Sequence, residues 1–424
     1  MAYTTTTTTG YGSRLGSSFK SIGTGLILFA AATALLWWNE GRAKHTADTN
    51  AEVLAKAVDM PDITSVDAQY NGQLVHATGT AQTTDILTDG MFGISVNAMQ
   101  LTRTVEYYQW VEKRHTETKE KIGGTKEEKT TYTYERQWTS EPVESSSFTD
   151  PDYKQVNSVL TRIDNSRQYA QNVAFGAYQL PDFFIQKIGG SQILAINLSD
   201  SVISELNAEL SKVISNGTQA DITTKAADAT AETQYIHANG NQIYIGKNAA
   251  NPAVGDVRLT YNYVPASAEV SLIAQVAGAT FAPWVSGNGQ HVSWLTAGNS
   301  TIQMMVESAQ SSNTMMTWLL RVIGIILVCA ALKMIFSILV TLLKVLPFLA
   351  SILNFGVSLV CNVIGIVWSL LVIALAWIFY RPIVGIILLV VIGVILYFFI
   401  TKGKSRKAGN DSAAVQAGIQ TPEP

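Results

Sequence analysis

The chain has 424 residues, of which 47% are hydrophobic and only 14% charged, against roughly a quarter charged in ordinary soluble domains. Residues 39–313 hold 30 Asp and Glu against 19 Lys and Arg, a net of −11, while the two flanks hold 10 Lys and Arg against 2 acids, a net of +8. An acidic middle between basic, apolar ends excludes a simple soluble enzyme, a disordered chain and a basic nucleic-acid binder. It predicts an integral membrane protein with one large water-exposed domain.

In chain order, residues 1–21 include six consecutive threonines and carry Arg14 and Lys20 without an acid, the composition of a disordered basic arm. Residues 22–38 (IGTGLILFAAATALLWW) are free of charge and meet the lower limit of about 17 residues for a bilayer crossing. The paired tryptophans suit the headgroup zone. A cleaved signal peptide is the competing reading, and Trp37-Trp38-Asn39-Glu40 argues against it as a poor small-residue cleavage site.

Within 39–313, residues 72–80 read as a short strand. The β-branched and aromatic runs at 101–111 and 130–138 read as a long hairpin whose tip is a Lys/Glu run around Gly123-Gly124. A mixed-sign run of this kind is ordinarily a solvated loop. Asp150-Pro151 has the form of an N-cap followed by proline at the first helical position, with Val156, Leu160 and Ile163 at helical spacing behind it. Residues 181–188 predict a short helix stopped by Gly189-Gly190. Ser199 or Asp200 caps a clearer helix with Val202, Ile203, Leu206, Leu210, Val213 and Ile214 on one apolar face. Residues 235–246 predict a hairpin turning at Asn239-Gly240. At 256–264, Val257, Leu259, Tyr261 and Tyr263 alternate with polar residues as in a half-buried strand, with 269–277 as its neighbour. The domain is therefore expected to be α+β with antiparallel hairpins. It lacks cysteine, so it must be held by its own core.

Residues 314–401 are apolar almost throughout and are divided by Pro347, Asn354 and the Arg381-Pro382 pair. Candidate spans are about 315–332, 353–379 and 383–400, making about four in all, with a tight turn at Arg381-Pro382. Residues 333–351 either extend the second span or lie along the membrane surface. The surface reading is favoured because Lys333 at mid-bilayer costs about 2.5–3.5 kcal/mol on insertion scales. Residues 402–424 form a basic tail expected to be disordered. Lysine and arginine at both termini place them in the cytoplasm, and an even number of spans then puts the 39–313 domain on the other side. Arg42, Lys44 and Arg321 count against that orientation but are outweighed by the terminal clusters. The absence of disulfides favours a bacterial inner membrane with a periplasmic domain over a eukaryotic secretory lumen.

The chemistry search assigns no catalytic, cofactor or metal residue. The five histidines show no metal-ligand spacing, and each reads as an exposed polar residue. No Walker loop, G-x-G-x-x-G or G-x-S-x-G occurs. Lys333 is the one ionisable residue away from a span end. Glu40 and Arg321 flank the first two spans and either pair, helping to clamp the domain onto its spans, or are separately solvated at the interface. Tyr107, Trp110, Tyr132 and Trp138 are expected to pack the hairpin rather than bind a ligand.

Several of these residues form an ordered series. Asn39-Glu40-Gly41-Arg42-Ala43 follows the first span. Val105-Glu106-Tyr107-Tyr108-Gln109-Trp110-Val111-Glu112 precedes the charged tip, and Tyr132-x-Tyr134-x-x-x-Trp138 follows it. Val254-Gly255-Asp256-Val257-Arg258 opens a later strand. Thr317-Trp318-Leu319-Leu320-Arg321 enters the second span, and Phe379-Tyr380-Arg381-Pro382 joins the last two. In this order, and over roughly 25–400, the chain resembles the transmembrane protein 43 (LUMA) family. The resemblance implies a four-span protein with cytosolic termini and a large luminal domain. It also implies a non-enzymatic scaffold that self-associates and binds membrane or envelope proteins, placed in the endoplasmic reticulum and inner nuclear membrane in eukaryotes. Lamin and emerin binding do not carry over to a chain from a cell without a nuclear envelope. The expected partners are thus the bilayer, further copies of the chain and membrane or envelope proteins, with no nucleic acid. A lipid-binding or ion-conducting oligomer is the alternative.

Overall fold

A computed structural model describes residues 2–215, 234–342 and 347–383, with positions 387 and 390 beyond them. The strands are β1 (Ala2–Thr9), β2 (Val58–Asp59), β3 (Leu74–Thr83), β4 (Ile86–Asp89), β5 (Ile94–Glu120), β6 (Lys126–Thr139), β7 (Ser166–Tyr169), β8 (Val173–Phe175) and β9 (Tyr178–Gln179). They continue as β10 (Gln192–Ile193), β11 (Ile236–Asn239), β12 (Gln242–Ile245), β13 (Val257–Pro265), β14 (Ser267–Ala277), β15 (Thr280–Ala282), β16 (Trp284–Val285), β17 (His291–Val292) and β18 (Trp294–Ala297). The helices are α1 (Tyr11–Lys56), α2 (Asp182–Ile185), α3 (Asp200–Ser215), α4 (Ile302–Ile335), α5 (Ser337–Leu342) and α6 (Pro347–Tyr380). Two compact units result. One gathers Thr49–Lys119 and Lys126–Ala309 with the N-terminal strand; the other gathers Thr9–Asp48, Glu120–Thr125 and the chain from Gln310 onward.

Among the described residues the first unit holds two large sheets and the two-stranded β16–β17. One has nine strands, with the main order β1-β6-β5-β13-β12-β11. Its core is set by alternation along β13, where Val257, Leu259 and Tyr261 are buried against β5 residues Val105 and Tyr107. The alternation ends at a register shift between Val264 and Pro265, so Val264 is buried and Tyr263 only half-buried. The other sheet has seven strands, and its β14–β3 pairing closes β3, β14, β15, β9 and β8 into a ring. Phe175, Tyr178, Phe184 and Phe281 fill its core. A smaller core joins Val53 at the end of α1, Met305 and Val306 at the start of α4, and Leu74, Ile273 and Val292.

The predicted hairpin is present and longer than the sequence signals mark, with Gly123 and Gly124 at positive φ in its tip. Three local expectations are corrected. The Asp150 cap forms, its carboxylate accepting from the Asp152 amide, but it opens a three-residue 3₁₀ turn and no helix follows. Gln155 takes φ +56, outside the helical region. Backbone groups beyond it are then satisfied across the sheet, as where the Leu160 amide donates to the Gly255 carbonyl. The β11–β12 turn is Gly240-Asn241, closed by the Asn239–Gln242 pair. Of its two central residues only Gly240 has positive φ, the pattern of a II′ turn rather than I′. The N-terminal arm, expected to be disordered, is ordered. Its β-branched threonines suit a strand on the open edge of β6, and Tyr3 lies against Tyr132.

In the second unit three helices are long and apolar enough to cross a membrane, in α1, in α4 and over Asn354–Tyr380. The expected fourth span and the C-terminal tail fall outside the described residues. α1 is a single 46-residue helix, and α4 and α6 have 34 residues each. The helices therefore run past both expected domain borders, at 39 and 313. Pro347 opens α6, where a missing amide costs no hydrogen bond. Residues 333–342 form the end of α4 and the short α5, and 343–346 of the segment expected at 333–351 lie outside the described residues. Close approaches knit the spans: a Cβ on Gly25 would lie 3.0 Å from the Ala331 carbonyl, and one on Gly365 would lie 2.6 Å from Cys329 Sγ. At the N-terminal end, Arg14 pairs with Glu120 and donates to the Gly124 carbonyl at the hairpin tip. The chain ahead of the first apolar stretch thus meets the hairpin that follows it.

Candidate functional site: a polar clamp between three helices

Glu40 lies two residues beyond the apolar run of α1 and is 3% exposed. A carboxylate so placed needs donors, because burying it alone is prohibitive. Arg321 of α4 supplies two in a fork, Nε to Oε1 at 2.7 Å and Nη2 to Oε2 at 2.8 Å. Trp377 of α6 supplies a third, Nε1 to Oε2 at 2.6 Å. The guanidinium lies 4.9 Å from the Trp318 ring centre and 5.4 Å from that of Trp377, so its faces are covered by aromatic surface. The Glu40–Arg321 pairing is present and joins α1 to α4.

One turn away along α4 the belt continues. Asn39 Nδ2 donates to the Thr317 carbonyl at 3.1 Å, and Arg42 donates to Asn313 Oδ1 at 3.1 Å and Thr317 Oγ1 at 2.9 Å. Asn313 Nδ2 returns to the Ala43 carbonyl at 2.9 Å. Asn313, Thr317 and Arg321 are spaced by four and share one helix face. Gly41 is where α6 touches α1: a Cβ there would stand 2.7 Å from Tyr380 Cζ. Trp37 packs on Phe379 and Tyr380. The Arg381 amide closes on the Trp377 carbonyl at 2.7 Å, and Pro382 follows it. Three of the motifs found in the sequence, Asn39–Arg42, Thr317–Arg321 and Phe379–Pro382, therefore converge.

The remaining candidates do not join them. Lys333 is exposed on α4. Tyr107 is a core residue whose hydroxyl donates to the Ile163 carbonyl at 2.6 Å. Trp110 stacks edge-on against Tyr153, with Arg136 over its ring. Trp138 meets Tyr108 and Tyr244, and the Arg258 guanidinium lies 4.3 Å from its centre. Gly255 holds φ +102, and its amide and carbonyl bond the Tyr108 carbonyl and the Leu160 amide. Asp256 is buried against Gly246, accepting from the Tyr244 hydroxyl and, at 2.7 Å, from the Ala253 amide. Burial pushes its carboxyl above the usual carboxylate range, and the Tyr244 bond partly offsets this. These residues build the β5–β6–β13 face and act on its stability.

Asn313 and Trp377 are clamp residues that the sequence reading missed. The four-residue spacing of Asn313, Thr317 and Arg321 was the available signal; Trp377 gave none in an aromatic-rich segment. The exposed-polar reading also fails for His76, which is 8% exposed and bonded at both ring nitrogens. Among the described residues no group of three or more His, Cys, Asp and Glu is placed to hold a metal. A groove of about 610 Å³ in the first unit is lined by Gln82, Thr83, Asn172, Gly176, Tyr178 and neighbours, with no carboxylate, lysine, arginine or histidine among them.

A family profile described as transmembrane protein 43 matches residues 107–382. The chain is 28% identical to transmembrane protein 43 of Rattus norvegicus and of Homo sapiens, over 88% of each chain. It is 26% identical to the transmembrane protein 43 homolog of Drosophila melanogaster, over 86% of this chain and 90% of that one. No solved structure matches. With the profile spanning more than half of the chain and including Arg321, Trp377 and Arg381, the chain belongs to the transmembrane protein 43 family.

Proposed function

We propose that this is a non-enzymatic, multi-pass membrane scaffold that self-associates and organises membrane or envelope proteins through its sheet-rich domain. The observation that carries the reading is the clamp. Three apolar helices are pinned by one buried ion pair and its tryptophan, an arrangement that fixes their geometry. Family membership supports a membrane role. The positive-inside charge pattern supports cytoplasmic termini, an extracytoplasmic domain and, in a bacterial cell, an inner-membrane location. One observation pulls the other way: β1 and Arg14, ahead of the first apolar stretch, contact the hairpin that follows it.

Gentle extraction of the full chain followed by native mass spectrometry tests the scaffold. A stable oligomer or a co-purifying membrane protein, with no bound lipid in fixed stoichiometry, supports it. A monomer carrying fixed lipid, or ion flux through reconstituted vesicles, favours the lipid- or ion-handling alternative and overturns the scaffold.

A further inference from the structure

His76 belongs to neither the clamp nor the motifs shared with the family. It sits in β3, paired in register with Asp59 of β2 on one side and Ile273 of β14 on the other. β2 is the first strand after α1, and Ser300 lies just ahead of α4. The ring spans the gap between these two segments: Nδ1 is 2.7 Å from Asp59 Oδ1, and Nε2 is 2.7 Å from the Ser300 carbonyl oxygen. We infer that His76 is a proton-operated clasp, closed when its ring is an imidazolium and loosened when the ring is neutral, tying the segment that leaves α1 to the segment that enters α4.

The argument is one of proton counting. A carboxylate and a backbone carbonyl only accept hydrogen bonds. An imidazolium has two N–H groups and satisfies both; a neutral imidazole has one, so a ring-nitrogen lone pair then faces an oxygen lone pair at 2.7 Å. The Ser300 carbonyl is held in place, whereas the exposed Asp59 carboxylate is free to swing away from a neutral ring. The Ser300 amide donates to Ser271 Oγ at 2.9 Å, that hydroxyl donates to the Gly298 carbonyl at 2.9 Å, and Thr78 Oγ1 meets it at 2.7 Å. The Met60 amide donates to the His76 carbonyl at 2.8 Å and fixes β2 from the other end. Asp59 is the titratable group that faces the ring. β14 presents Ile273 and the uncharged Ser271, and the α4 side presents the Ser300 backbone. Of the nearest charged side chains on the two helices, Lys56 is engaged by Glu52, and Glu307 accepts from Gln303. The sign follows from the donor count: an imidazolium meets both acceptors and a neutral ring meets one, so the clasp is worth more at acid than at alkaline pH. The same bonds show that His76 is not a catalytic base, because the nitrogen that would activate a hydroxyl is spent on a carbonyl.

The test is thermal unfolding of the full-length protein in detergent between pH about 5.5 and about 8.5, a range that brackets imidazole titration. It compares the parent with His76→Gln and Asp59→Asn. The parent is expected to lose about 2–4 °C more across this range than His76→Gln, the shift that roughly one buried charge-assisted bond gives a domain of this size. Asp59→Asn changes a side chain that is 72% exposed, so it leaves folding intact while removing the anionic acceptor, and it is expected to flatten the pH slope. Hydrogen exchange at 57–60 and 298–302, corrected for intrinsic rate, is expected to accelerate with rising pH in the parent and to be fast at both ends in His76→Gln. Parallel parent and His76→Gln melting curves, or a full parental slope in Asp59→Asn should His76→Gln not fold, would overturn the inference.

Discussion

At Glu40 a single carboxylate receives donors from two other helices, and this concentration of dependence makes it the most sensitive residue of the clamp. Arg321→Gln leaves that carboxylate buried with Trp377 alone and is expected to destabilise the spans by about 3–5 kcal/mol, the usual result of breaking a buried pair from one side. Glu40→Gln, Arg321→Gln and the double variant form a cycle read by thermal unfolding in detergent. Pairing predicts that the double variant costs less than the sum of the singles, and unchanged melting in both singles would disprove the clamp. Asp256 behaves in the opposite electrostatic sense. Its carboxyl titrates above the usual range when folded, so the folded state holds a proton that the unfolded state has released. Stability from this group is therefore full at pH below about 3.9 and is lost as pH rises through the folded value. Asp256→Asn is expected to flatten the stability profile over that interval in a denaturant titration.

The packing of α1 against α6 turns on Gly41. A Cβ there already meets the Tyr380 ring, and Gly41→Leu is expected to cost about 1–3 kcal/mol by overpacking. Tyr380→Ala in the same chain should restore part of the loss, and a full unfolding curve on each variant checks both numbers. Elements with a strong local period were legible from the sequence: β13 from alternation, α3 from its apolar face and its Ser199 cap, and the spans from length and lack of charge; β14 was expected beside β13 and instead pairs β3, β15 and β18 in the other sheet. Residues 154–165 were not. Of the expected helical face only Ile163 is buried, Val156 and Leu160 being half-buried, while Asn157 and Val159 are buried in alternation; the chain follows the sheet, with hydrogen bonds between the Asn157 side chain and the Trp110 backbone. A period of 3.6 over three residues is too short to outweigh such partners. The hairpin turn was misplaced by one residue for a related reason, since register is set by the buried faces of both strands as well as by the turn dipeptide.

At the scale of the whole molecule, the charge pattern and the arm–hairpin contact make different demands. Single cysteines at Thr5 and Ile122, in a chain lacking Cys329 and Cys361, decide between them in sealed inverted vesicles with an impermeant thiol reagent. Cytoplasmic termini with an extracytoplasmic domain predict labelling at position 5 and protection at position 122 until detergent is added. Equal labelling at both positions would place the arm and the hairpin in one compartment. Ile122 is 85% exposed at the hairpin tip, so its reactivity reports sidedness rather than burial.

The sequence by itself determined the membrane character, three of the helices, the hairpin-rich domain and the family, because these depend on composition, period and motif order along the chain. It also brought forward Glu40 and Arg321, since a charge beside an apolar span has few places to go. Which donors complete that pair, that Gly41 is the seat of Tyr380, that the Thr-rich arm is a strand, and that His76 bridges two acceptors were decided only by the tertiary structure. Each is a meeting of residues between 17 and 339 positions apart, and such meetings are fixed by how the cores close and where buried polar groups find partners.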